Sequence, residues 1–261
     1  MTMTAESGSP EFRHADRPVR DRIRWRECDS PAVLADELAM EVAGDLARAV
    51  AARGTAAVVL PGGRTPRMLY RALTRAAVPW EAVTVIPSDE RWVPSDDPRS
   101  NLGAIATAFA GTAAAKAHLI SLYDPAASAP EDAFATIRKR LSTCPRPHDW
   151  VILGMGTDGH IASLFPGIAP AVAADDLVAA PPAPRPAGMT EARISLGLQS
   201  LCAARRIGLL ITGHRKRRVL EGALAETTDS LLPVRLLAEA VDRLTVFWAP
   251  ETADRLEGDR S

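Results

Sequence analysis

Asp158 and His160 flank Gly159 within D-W-V-I-L-G-M-G-T-D-G-H-I-A-S-L-F-P-G, residues 149–167. Histidine is the side chain whose ordinary pKa lies near neutrality, so an imidazole beside a carboxylate is suited to moving a proton. The same stretch indicates where the pair sits. Residues 150–153 are apolar and β-forming, and they end at Gly154, Gly156 and Gly159. That spacing predicts a buried strand opening into a tight turn. Open α/β sheets bind ligands beyond the carboxyl ends of their strands, which is where this turn falls.

The three glycines also satisfy G-x-G-x-x-G, the dinucleotide fingerprint, with Asp175 and Asp176 downstream. That motif needs a long helix straight after its third glycine. Pro166 and Gly167 close this segment within about two turns, which argues against a nicotinamide cofactor.

Anion binding is the second chemistry in the chain. Residues 56–60 read as a strand that runs into Pro61-Gly62-Gly63-Arg64-Thr65-Pro66 and then a helix with Leu69 and Leu73 inward. Glycines let backbone N–H groups approach an anion, and a helix N-terminus presents unpaired donors, so the turn suits a phosphate. Thr65 is the expected N-cap. Arg64 has two readings, a charge on the phosphate or a side chain in solvent. After a strand over 83–86 comes Ser88-Asp89-Glu90-Arg91-Trp92-Val93, and an arginine there offers a planar fork to an oxyanion. Arg193 opens a strand over 193–196. Lys216, one of only three lysines, follows Gly213 where a helix begins.

These groups need a frame. Ser30 and Pro31 start a helix whose Leu34, Leu38, Val42, Leu46 and Val50 recur every fourth residue until Gly54, so one face should cover a sheet. Further strands are expected over 118–122, 207–212 and 244–248, with helices over about 100–109 and 130–141 and another capped by Ser230. Residues 179–186 read as a surface loop. Strands and helices alternate throughout, which predicts an α/β fold: one doubly wound, mostly parallel sheet with helices on both faces. Residues 1–26 read as a mobile tail and 27–261 as a single domain.

The 261 residues carry 31 basic and 32 acidic side chains, so the charge balance gives no reason to expect nucleic acid or a membrane surface as partner. Cys28, Cys144 and Cys202 are scattered and show no metal-ligand spacing. No stretch approaches the ~20 apolar residues of a membrane span, and the first 26 residues lack the apolar run of a signal peptide. The expected location is cytoplasmic.

G-M-G-x-D-G-H-x-A-S-L-F-P-G resembles the signature of 6-phosphogluconolactonases, in the superfamily shared with glucosamine-6-phosphate deaminase. The likeness extends to the glycine turn, similar to the family's S-G-G-S-T-P with Pro61 and Arg64 where serines are usual. It includes D-E-R-W-V-P with Ser100-Asn101-Leu102, R-I-S-L at 193–196, and the G-x-x-K ending at Lys216. The resemblance implies hydrolysis of 6-phosphoglucono-1,5-lactone without metal or organic cofactor, with His160 as general base. Asp158 would orient the imidazole or close the turn, and Asp89 would face the sugar. Gly62, Gly63, Thr65, Arg91, Arg193 and Lys216 would hold the phosphate. Backbone N–H groups around Gly154 to Gly156 are candidates for the oxyanion. The deaminase branch carries a glutamate five residues beyond the histidine, where this chain has Phe165. A sugar-phosphate sensor of the same fold would need an appended DNA-binding domain, and none is evident.

Overall fold

The computed structural model describes residues 19–167, 170–180, 191–225 and 232–251. Ser30 accepts a hydrogen bond from Val33 N on its side chain, Pro31 takes the first helical position, and α1 (Pro31–Arg53) follows. Gly54 ends it at φ 77°, a conformation that favours glycine. Leu34, Leu38, Val42 and Leu46 are fully buried along one stripe. Each such side chain contributes about 1.5–3 kcal/mol by leaving water. The other principal helices are α2 (Pro66–Thr74), α3 (Asn101–Phe109), α4 (Phe134–Leu141) and α5 (His214–Ala223).

The strands are β1 (Arg24–Glu27), β2 (Ala56–Leu60), β3 (Val83–Pro87), β4 (Asp89–Arg91), β5 (His118–Leu119), β6 (His148–Gly154), β7 (Leu177–Ala180), β8 (Arg193–Leu196), β9 (Ala204–Thr212) and β10 (Leu244–Ala249). Seven of them form one parallel sheet in the order β1-β10-β9-β6-β2-β3-β5. Side chains alternate between its faces, as the pleat requires. Val58, Trp150, Ile152 and Phe247 pack with α1 and α2 on one face. Val59, Val151, Leu153 and Val246 pack with Ile137 of α4 and Leu220 of α5 on the other. This is the doubly wound α/β architecture expected.

From β2 the chain moves outward through β3 to β5, then returns to β6 beside β2 and moves outward the other way through β9 and β10. The strand order therefore reverses between β2 and β6. Open sheets leave a crevice at such a point. The glycine turn after Leu60 and the Asp-Gly-His turn after Gly154 both open there.

Two features depart from expectation. Arg193–Leu196 joins no strand of the main sheet: β4, β8 and β7 form a separate three-stranded antiparallel sheet, Asp89 opposite Ser195 and Arg91 opposite Arg193. Ser88 links the two sheets, since its N–H donates to Leu60 O and its carbonyl accepts from Leu196 N. The boundary expected at residue 26 falls inside β1, which pairs with β10 at the sheet edge, preceded by a helical turn at Val19–Arg22.

Smaller differences are local. The strand near His118 covers two residues rather than five. Ala179 and Ala180, expected in a loop, belong to β7, while residues 181–186 of that loop and Ser230 lie outside the described residues. Among the described residues no helix is long and apolar enough to cross a membrane.

Candidate active site

The turn after β6 is built around glycines. Gly156 N–H donates to His160 O at 2.9 Å and closes the loop, and Gly159 N–H donates to Gly156 O at 3.1 Å with φ 79°. A Cβ on Gly156 would overlap His160 Nδ1 and Asp158 Oδ1, so only glycine leaves room for the pair above it. Asp158 Oδ1 lies 2.6 Å from His160 Nδ1 and also accepts from His160 N–H at 3.3 Å. A carboxylate accepts, so the shared proton sits on Nδ1 and Nε2 is left with its lone pair. Asp158 thus both orients the ring and closes the turn.

Phe165 packs beneath this imidazole, ring centroids 4.7 Å apart, and its face also lies 5.8 Å from the Arg193 guanidinium. Ala162, between them in sequence, holds φ 47°, an uncommon conformation for a residue with a Cβ.

Asp89 is buried at the mouth of β3. Its Oδ1 accepts from Ser88 Oγ at 2.9 Å, its Oδ2 accepts from Ser163 Oγ at 2.6 Å, and Arg193 Nη1 stands 3.7 Å from Oδ2. Burial lowers the Arg193 pKa against the opposing pull of Asp89. Arg91 Nη1 donates to Arg99 O at 2.6 Å and to Asn101 Oδ1 at 2.9 Å. Asn101 in turn donates to Asp89 O at 2.7 Å, and a Cβ on Gly62 would overlap its amide. Asn101 therefore packs the glycine turn against both charged residues, a role that sequence reading does not assign to it.

One cavity of about 350 Å³ is lined by Gly62, Gly63, Arg64, Thr65, Asp89, Arg91, His160, Arg193 and Lys216. These are nine of the ten residues picked out for chemistry, and the tenth, Asp158, touches His160. They come from the ends of β2, β6 and β9 and from β4 and β8, so the fold converges them across about 150 positions of sequence. Arg64 is exposed and still lines the cavity. Arg217, by contrast, pairs with Glu27 and Glu221 at 2.9 Å and lies over Trp25 and Trp248.

Two expectations change. Thr65 holds the N-cap position of α2 with helical φ/ψ and makes no capping bond. Gly156 N–H is committed to His160 O, which removes it from the oxyanion candidates. Pro61, lacking the usual serine hydroxyl, has its carbonyl held by the Tyr70 hydroxyl, a phenol whose pKa burial pushes up. Among the described residues no group of three or more His, Cys, Asp or Glu is placed to hold a metal ion.

Fold and site together define an α/β enzyme whose cavity lies at the reversal point of a parallel sheet. The chain belongs to the glucosamine-6-phosphate isomerase/6-phosphogluconolactonase family, whose model matches residues 29–248. It is 39% identical over 229 residues to a 6-phosphogluconolactonase of Rhizobium meliloti (strain 1021), covering 85% of this chain and 97% of that relative. A 6-phosphogluconolactonase of Pseudomonas aeruginosa is 39% identical over 227 residues, 85% of this chain and 92% of its own. The crystal structure of a 6-phosphogluconolactonase from Shewanella baltica OS155 superposes with TM-score 0.79 at 31% identity, covering 87% of this chain and 97% of that one. A monomeric glucosamine-6-phosphate deaminase shares the fold, with TM-score 0.70 at 21% identity over 90% of this chain and all of the other.

Proposed function

We propose that this chain hydrolyses 6-phospho-D-glucono-1,5-lactone to 6-phosphogluconate, a step of the oxidative pentose phosphate pathway. The observation that carries the reading is the Asp158–His160 pair, 2.6 Å apart, beside a cavity lined by Arg64, Arg91, Arg193 and Lys216. In this reading Thr65, Arg91, Arg193 and Lys216 grip the phosphate, and Asp89 faces the sugar hydroxyls. Binding the phosphate fixes the lactone carbonyl within reach of a water held by His160 Nε2.

His160 takes a proton from that water as its oxygen bonds to the lactone carbon. The carbonyl pair moves onto oxygen, giving a tetrahedral oxyanion. Collapse breaks the bond to the ring oxygen, and the imidazolium returns its proton there; the carboxylic acid so formed then releases its remaining proton to solvent, so the carboxylate and the freed hydroxyl are the products. Asp158 stabilises the imidazolium between the two transfers. Phe165 supports lactone chemistry over isomerising deamination, because an apolar ring cannot supply the carboxylate that the deaminase branch places at that position.

The test uses freshly generated lactone, with spontaneous hydrolysis subtracted. His160→Ala is expected to lower kcat by roughly 10²–10⁴, and removing the phosphate from the substrate should raise KM steeply. Full activity in His160→Ala, or ammonia release from glucosamine 6-phosphate by the wild type, would overturn the reading.

A further inference from the structure

The turn that carries Asp158 and His160 is closed by its own bonds, Gly156 N–H to His160 O, Gly159 N–H to Gly156 O and the Asp158 carboxylate to the imidazole. Bonds of this kind fix the shape of a loop and leave its place against the cavity open. Its place is set from outside, by a stretch of chain far downstream. Gly159 O accepts from Val234 N–H at 3.1 Å. The side chain of Leu232 lies over the same glycine, so close that a Cβ added to Gly159 would stand 2.9 Å from Leu232 Cδ1 and 3.2 Å from its Cγ.

Leu232 and Val234 are themselves anchored. Arg235 N–H donates to Leu232 O at 2.9 Å where a 3₁₀ segment, Pro233–Arg243, begins. Val234, Leu237 and Val241 are buried in one core with Leu209 of β9 and Val246 of β10. Arg235 Nη1 also donates to Ala223 O, the last residue of α5, at 3.4 Å. The turn therefore rests on an element embedded in the sheet's core, and a close-packed interior transmits a displacement rather than absorbing it. The Val234 contact is made by backbone and is open to any residue with an N–H. The Leu232 contact depends on its side chain.

We propose that Leu232 is a positioning residue for the reaction: its side chain seats Gly159 and so holds the His160 imidazole at the wall of the catalytic cavity. The proposal rests on the reading of His160 as the base. Leu232 acts through the glycine and does not line the cavity itself. The phosphate end of the site is built on other elements, so a shifted turn should bind the lactone as before and turn it over more slowly. A misplacement of about 1 Å is enough to cost roughly 10²-fold in rate.

A double-mutant cycle on lactone turnover by the full chain tests it, with spontaneous hydrolysis subtracted. Leu232→Ala is expected to lower kcat about tenfold while KM stays within about twofold. Leu232→Met refills the space with a flexible apolar chain and should keep kcat within about threefold of wild type. Gly159→Ala drives a methyl group against Leu232 and should lower kcat by about thirtyfold or more. In the Gly159→Ala/Leu232→Ala double variant that methyl takes space the leucine has vacated, so kcat should rise about fivefold above Gly159→Ala alone. Backbone strain at φ 79° is common to both Gly159 variants and cancels from the comparison. Leu232→Val should show the same pattern at smaller amplitude, which keeps the cycle readable if the alanine variant does not fold. Losses that simply multiply, or wild-type kcat in Leu232→Ala, overturn the role of Leu232 and leave the lactonase reading standing. A wild type that hydrolyses no lactone overturns that reading and this one together.

Discussion

Gly156 shows how one missing side chain positions two others. A methyl group there would occupy the space of His160 Nδ1 and Asp158 Oδ1, both ends of side chains rather than backbone, so they would swing aside and the fold would survive. Gly156→Ala is therefore expected to lower kcat by about two orders of magnitude with little change in unfolding midpoint, because a misplaced base costs rate rather than stability. Asp158→Asn makes a sharper case. An amide can offer N–H to Nδ1 and leave the proton on Nε2, the wrong tautomer for a base. A loss of roughly 10²–10⁴ in kcat at unchanged KM is expected, and a variant of near wild-type rate would remove Asp158 from the mechanism. The pair was legible in the sequence because it is local: three consecutive residues carry it. Asn101 and Ser163 were not, since their partners Gly62 and Asp89 lie 39 and 74 positions away.

At the scale of elements, Glu90 ties a motif to a helix. Its carboxylate accepts from Asn101 N–H at 2.7 Å, Leu102 N–H at 2.8 Å, Ser100 Oγ at 2.9 Å and Arg91 N–H at 2.8 Å, so it caps α3 and fixes the loop carrying Arg91. Burial raises its pKa, and those four donors pull against that shift. Glu90→Gln keeps the shape but gives up one acceptor oxygen, leaving buried N–H groups unpaired. It is expected to cost about 1–3 kcal/mol in urea unfolding. Because Asn101 Oδ1 holds Arg91, KM for the lactone should rise about tenfold while kcat falls less. An unchanged KM would separate the cap from the site. Sequence periodicity found α1 and α2, where the signal repeats within one element. It did not find β1, because R-W-R-E buries none of its four residues at the sheet edge and reads as a polar tail. Nor did it separate β8 from the main sheet, since antiparallel pairing with β4 joins residues about 100 positions apart.

For the whole molecule, the sheet keeps its chemistry at one end and a titratable liability at the other. His148 starts β6, the strand whose far end carries the Asp158–His160 turn. It is fully buried, and its ring nitrogens meet no partner beyond a weak contact with the Pro145 backbone, which pulls against the effect of burial. Burial, and secondarily the charge of Arg146, push its pKa down from 6.5 to about 4. The unfolded chain then takes up a proton at a pH where the folded chain refuses it. His148 contributes its full share of stability above pH 6.5, and that share is lost as pH falls to about 4. The interval corresponds to about 3 kcal/mol at ~1.36 kcal/mol per unit. Carboxylates titrate over part of this window too, so the informative quantity is a difference. His148→Leu removes the imidazole and leaves every carboxylate in place. Urea unfolding from pH 7 to pH 4 should show wild type losing about 3 kcal/mol more than this variant. Lactone turnover at pH 7 should be alike in the two, because residue 148 stands a full strand away from the cavity. Parallel stability curves would mean that the buried ring gains a proton as readily as a free one, and the acid sensitivity would then belong to the carboxylates alone.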